Sequence, residues 1–129
     1  MKKFHLKGLL LVTLMMAIVV GFSQPRFADA AANIKFEATD VYLQQGYVRI
    51  VGYFYNNGDN GAAVSTASMN VAIADSNGNH IWADSCTFHN VQAYVGAGGR
   101  TNWMFDIKNP NCPYYSREIR WSVDTILRW

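Results

Sequence analysis

The sequence predicts an all-β domain, an antiparallel sandwich of about seven short strands behind a cleavable leader. Three observations carry the prediction. Short runs alternate apolar and polar side chains with a period of two, and the stretches between them are dense in Gly, Asn and Asp. In residues 31–129 no window places apolar side chains at helical spacing behind a capping residue.

The first thirty residues stand apart. Lys2, Lys3 and Lys7 precede an apolar run from Gly8 to Phe22, and Ala28-Asp29-Ala30 follows a short polar connection. A basic start, a short apolar stretch and a small-x-small site describe a secretory signal peptide, with cleavage expected after Ala30. The run of about 15 residues falls short of the roughly 20 that span a bilayer. No membrane anchor is therefore expected after cleavage, and the expected location is extracytoplasmic: periplasm, cell wall or extracellular space.

Charge changes meaning once the leader is set aside. The chain has 11 basic and 9 acidic residues; Lys2, Lys3, Lys7, Arg26 and Asp29 lie in the leader, which leaves 7 and 8, a net charge of about −1. No basic cluster remains to follow a phosphate backbone, so nucleic acid is not an expected partner.

The stretch from Gly46 to Gly61 anchors the remainder. A turn glycine is followed by strong strand formers, and an Asn- and Gly-rich loop then ends the element. Alternation puts Val48, Ile50 and Phe54 with Gly52 on one face, and Tyr47, Arg49, Val51, Tyr53 and Tyr55 on the other. The first set suits a dry core, which makes this a central strand. Before it, Ile34, Phe36 and Ala38 share one parity while Val41 and Leu43 share the other, so this strand must bulge near Thr39 or Asp40. Gln44-Gln45-Gly46 closes a hairpin.

Ala62 to Thr66 is too small and mixed to assign. Met69, Val71 and Ile73 then alternate with polar or small residues, and Asp75-Ser76-Asn77-Gly78-Asn79 is a turn. The return strand His80 to Phe88 places Trp82, Asp84, Cys86 and Phe88 on one face. Val91, Ala93 and Val95 form a short run ended by Gly96-Ala97-Gly98-Gly99. Thr101, Trp103, Phe105 and Ile107 alternate up to a break at Asn109-Pro110. In the last strand Ile119, Trp121, Val123, Leu127 and Trp129 share one parity, expected to face the core. These elements describe one immunoglobulin-like β-sandwich over residues 31–129, with a small β-barrel as the alternative closure.

Several of these residues fall into a pattern. Gly52-Tyr53-Phe54-Tyr55-Asn56-Asn57-Gly58, then Met69-Asn70-Val71-Ala72-Ile73, then the turn from Asp75 running to Ile81, then Gly98 ahead of Asn102-Trp103-Met104-Phe105, resembles the small bacterial extracytoplasmic immunoglobulin-like modules of the FxLYD and SLAP type. The resemblance covers Gly46 to Ile107; the cysteine pair and the aromatic tail through Trp129 depart from it. It implies a cell-envelope or secreted binding part, and brings no catalytic residues with it.

Cys86 and Cys112 are an even pair in an exported chain, and a disulfide between them is expected. Other chemistry has little support. His80 and His89 would lie about 30 Å apart along one strand at about 3.3 Å per residue, too far to share a metal. No nucleophile elbow is present. The Asp75 turn lacks the spacing of a calcium loop. No cofactor and no metal are expected, and the chain is expected not to be an enzyme.

The surplus is aromatic. Tyr47, Tyr53 and Tyr55, with Arg49, occupy the outward parity of the central strand, a composition favoured in contact surfaces. The expected role is a binding or interaction module with a protein or glycan partner, using Tyr47, Arg49, Tyr53 and Tyr55, with self-association through a sheet face or edge a further option. A structural envelope subunit is one alternative. A small secreted enzyme or inhibitor is another, with a site built from convergence of Asp75, Asp84, Asp106, His80 or His89.

Overall fold

A computed structural model of the protein describes residues 31–129; the expected signal peptide lies outside the described residues. Eight strands follow one another: β1 (Ile34–Gln44), β2 (Tyr47–Asn56), β3 (Ala62–Val64), β4 (Thr66–Asp75), β5 (His80–Phe88), β6 (Ala93–Val95), β7 (Arg100–Lys108) and β8 (Ile119–Arg128). They form two three-stranded antiparallel sheets, β1-β2-β7 and β5-β4-β8, and a two-stranded ribbon of β3 and β6. Edge strands β1 and β7 approach β8 and β5 respectively, so the two sheets are stacked layers of an all-β sandwich. Among the described residues no helix is long and apolar enough to cross a membrane.

The centre of each sheet is the strand with the cleanest alternation. On β2, Val48, Ile50 and Phe54 are completely buried; on β4, Ala67, Met69, Val71 and Ile73 are buried in the same way. The two faces meet through aromatic rings. Phe54 lies 5.1 Å from Phe36 and 6.0 Å from Phe105, and Phe105 crosses to Phe88 of the opposite sheet at 4.8 Å. Such offset or edge-on ring pairs add specific attraction to the area they bury.

The change of parity in β1 is a bulge. Register shifts between Ala38 and Asp40, so Ile34, Ala38, Val41 and Leu43 all face the core. The bulge also accounts for a glycine in mid-strand. A Cβ at Gly52 would run into the Glu37 carbonyl and the Ala38 Cα, because β1 presses its backbone against β2 there.

Asn56 ends β2 as the one buried polar side chain among the described residues, 1% exposed. Its Oδ1 accepts from the amides of Asn33 (3.0 Å) and Gly58 (2.8 Å), and its Nδ2 donates to the carbonyls of Asn60 (2.8 Å) and Val95 (3.1 Å). One amide thus ties the start of β1, the β2–β3 loop and the end of β6 to the core.

Four features differ from expectation. Eight strands form, because residues 62–66, unassigned from sequence, contribute β3 at Ala62–Val64 to the ribbon. β6 is confined to Ala93–Val95, because Asn90 and Gln92 both take left-handed backbone at φ 56°, which no strand tolerates. β8 is an edge, so Ile119, Trp121, Val123 and Leu127 are half-buried and Trp129, beyond the last pairing, is 48% exposed.

The fourth difference corrects the disulfide. Cys86 and Cys112 are free thiols. Cys112 is fixed in the β7–β8 loop, where its amide donates to Asn109 (2.9 Å) and its carbonyl accepts from Gly46 (3.0 Å), and its Sγ is turned toward the Pro113 carbonyl at 3.8 Å. Counting cysteines says nothing of this local trajectory. Burial raises the pKa of both thiols, and the negative charge of Asp84 raises both further.

Candidate binding face

The outward face of β1-β2-β7 can be laid out from its register. Tyr55 sits between Lys35 and Arg100, Tyr53 between Glu37 and Asn102, Val51 beside Met104, Arg49 between Tyr42 and Asp106, and Tyr47 between Gln44 and Lys108. Cross-strand neighbours on one face lie within side-chain reach, so each row behaves as a unit.

The rows near Tyr47 form a closed end. Arg49 and Asp106 make a two-pronged ion pair, Nε to Oδ1 at 2.9 Å and Nη2 to Oδ2 at 3.0 Å. The same guanidinium lies 5.3 Å from the centre of the Tyr47 ring. Its hydrogen bond to Asp106 holds the Arg49 pKa above its ordinary value despite an opposing desolvation effect. Arg49 is thus engaged by its neighbours on the sheet.

The rows near Tyr55 are open. Glu37, Tyr53, Tyr55, Asn56, Asn57, Gly98, Gly99 and Arg100 line a depression of about 280 Å³. Arg100 lies over the Tyr53 ring at 4.1 Å from its centre, and the Tyr53 and Tyr55 rings are 6.0 Å apart at 54°. Burial raises the Tyr55 pKa, and the charge of Glu37 raises it further, so the phenol keeps its proton at neutral pH. The floor is held from beneath: the Gly98 amide donates to the Asn56 carbonyl (2.9 Å) and the Asn56 amide to that of Gly99 (3.1 Å).

Of the four residues picked out from sequence, Tyr53 and Tyr55 meet in this depression, whereas Tyr47 and Arg49 lie at the other end of the strand. Glu37 and Arg100 escaped notice. Glu37 belongs to the outward parity only on its own side of the bulge, and Arg100 reaches Tyr53 only because β7 pairs with β2, a fact of topology that spacing does not encode.

The acidic and histidine candidates do not converge. Asp75 caps its own turn, accepting from the amides of Asn77 and Asn79 at 2.9 Å each. Asp84 faces inward on β5 and accepts from Asn109 at 3.1 Å, and Asp106 is held by Arg49. His80 opens β5 and His89 follows its last residue, and among the described residues no group of three His, Cys, Asp or Glu could hold a metal. A second hollow, about 510 Å³ on the outer face of β5-β4-β8, is lined mainly by small and polar residues including Asn70, Ala72, Ser85 and Ser122.

No family model and no curated protein matches the chain. Among solved structures it is similar to Pseudomonas fluorescens alkylpurine DNA glycosylase bound to DNA containing an abasic site analog, with a TM-score of 0.43 and 12% identity. The match covers 80% of this chain and 30% of the glycosylase. That neighbour is an enzyme, so the comparison gives no support to the expectation that this chain is not one. At this TM-score the likeness carries no argument about activity or ligand.

Proposed function

We propose that the domain is an exported binding module of the bacterial cell envelope or extracellular space, and that it makes contact through the Tyr53–Tyr55 end of its β1-β2-β7 face. The carrying observation is the depression in which two half-buried tyrosines lie between a carboxylate and a guanidinium. Tyrosine and arginine are enriched where interfaces concentrate their binding energy, because they bring large rigid area with a polar tip. The pattern of the leader supports export, and the resemblance to FxLYD- and SLAP-type modules supports an envelope setting.

Tyr53→Ala and Tyr55→Ala test the reading. Each removes half-buried ring surface from the sheet exterior and leaves the core untouched, so each is expected to cost no more than about 1 kcal/mol in stability. Each should nevertheless weaken retention in the envelope fraction, measured beside thermal unfolding of the same variants. Variants that unfold, or fold and are retained like the parent, overturn the assignment. Mass spectrometry of the exported product should find its first residue at Ala31.

A further inference from the structure

Resting on the binding reading above, we infer that the depression takes one uncharged sugar residue of a larger saccharide, seated on the Tyr55 ring and hydrogen-bonded by Glu37, Asn57 and Arg100. Size is the first argument. At about 280 Å³ the hollow falls just below the usual range of small-molecule sites, about 300–1,000 Å³, and so suits a single ring and not an extended peptide. It opens outward from the sheet, which lets neighbouring units of a chain continue over the surface.

The lining supplies the second argument. Tyr53 and Tyr55 give aromatic surface, Glu37 gives acceptors only, Arg100 gives donors only, and the Asn57 amide gives both. No aliphatic side chain lines the hollow. A purely apolar ligand would strip water from these groups and leave them unpaired, at a cost that its own burial would not offset. A sugar has the matching duality: a C–H face that lies against a ring, and hydroxyls around its rim that both donate and accept.

Charge decides between sugars. Glu37 and Arg100 oppose each other in the lining, and no ion pair joins them among the described residues. An anionic unit would gain from Arg100 and lose to Glu37, while Lys35, the neighbour of Tyr55 on β1, does not line the hollow; moreover, the Gly98 and Gly99 amides that could cradle an anion already donate, to Asn56 and Gly96 at 2.9 Å each. A cationic unit would meet Arg100. The uncharged unit suffers neither repulsion.

The experiment is an array of neutral hexose and N-acetylhexosamine oligosaccharides beside uronic-acid and sulfated ones, followed by calorimetric titration of the purified protein with any that bind. Neutral oligosaccharides are expected to bind, with an affinity unchanged as salt is raised. Tyr55→Ala and Glu37→Gln should each weaken that binding by roughly tenfold or more, about 1.4 kcal/mol. Tyr114→Ala, which removes a tyrosine 59% exposed elsewhere, should leave it unchanged. Binding confined to acidic saccharides and lost in salt overturns the uncharged-sugar inference, as does neutral binding indifferent to Tyr55→Ala and Glu37→Gln. No saccharide binding, together with loss of envelope retention in Tyr55→Ala, overturns the inference and spares the binding face; retention equal to the parent overturns both.

Discussion

Replacing Asn56 by alanine should be among the most damaging single changes to a polar side chain in this domain. The side chain makes four hydrogen bonds, all to backbone, and is 1% exposed. Three of the four bonds retain some access to water, and each should contribute about 0.5–1.5 kcal/mol. The fourth, to the Val95 carbonyl, is buried, so its acceptor would be orphaned at about 1–3 kcal/mol. The total is about 2.5–7.5 kcal/mol, against about 5–15 kcal/mol for a whole domain of this size. Urea unfolding followed by tryptophan fluorescence should show Asn56→Ala with a midpoint far below the parent and an unchanged slope. Asn56→Asp keeps the oxygen that accepts from Asn33 and Gly58 but turns a second oxygen toward the Asn60 and Val95 carbonyls, so at neutral pH it should be no more stable than the alanine variant. A loss under about 1 kcal/mol for Asn56→Ala would mean that water inherits the four bonds, and the account of Asn56 as the tie between loops and core would fail.

Gly52→Ala should lower the melting temperature sharply, because the added methyl meets the Glu37 carbonyl and Ala38 Cα, rigid backbone that cannot step aside; a melting temperature equal to the parent would show that the bulge relaxes freely. Asp75 has a lowered pKa, chiefly from the Asn79 amide, so its folded value lies below its unfolded value. Its stabilising contribution is therefore present above the unfolded value of about 3.9 and lost as pH falls through the folded one, and Asp75→Ala should make the acid limb of the stability curve shallower. Cys86 and Cys112 should titrate as two free thiols in denaturant without reductant, and react slowly in the folded protein, the buried Cys112 more slowly than Cys86. Removing the nearby charge in Asp84→Asn should speed both; an unreduced protein with no titratable thiol in denaturant would refute the free pair.

The sequence displayed what depends on local alternation. Val48, Ile50 and Phe54 could face inward only if Tyr53 and Tyr55 faced outward, and the phase change between Ala38 and Val41 demanded a bulge, which the register places between Ala38 and Asp40. What stayed hidden depends on which strands become neighbours. Arg49 finds Asp106, and Arg100 finds Tyr53, across a pairing of β2 with β7 that skips four intervening strands. Edge position was hidden for the same reason. β8 alternates as cleanly as β2, yet with a neighbour on one side only its inward residues remain half-buried. The thiols show the limit of composition, since pairing needs a backbone path that brings two Cβ vectors together.

The two ends of the β2 outer face differ because the residues beneath and beside them differ. At Arg49 the charge is answered on the same sheet by Asp106, so that end presents a matched pair and little field to a partner. At Tyr55 the next residue along the chain is Asn56, which turns inward and binds the surrounding loops to the core. A hollow lined by Gly98, Gly99 and Asn57 would otherwise be a loop surface free to collapse or drift. Because Asn56 fixes both loops, a ligand on the proposed binding face would meet the rings of Tyr53 and Tyr55 with their surroundings already ordered, and less of the contact energy would be spent on ordering them. The buried amide therefore links core stability to the order of the hollow. Conservative changes at Asn56 that leave the domain folded should loosen the hollow before they unfold the sandwich.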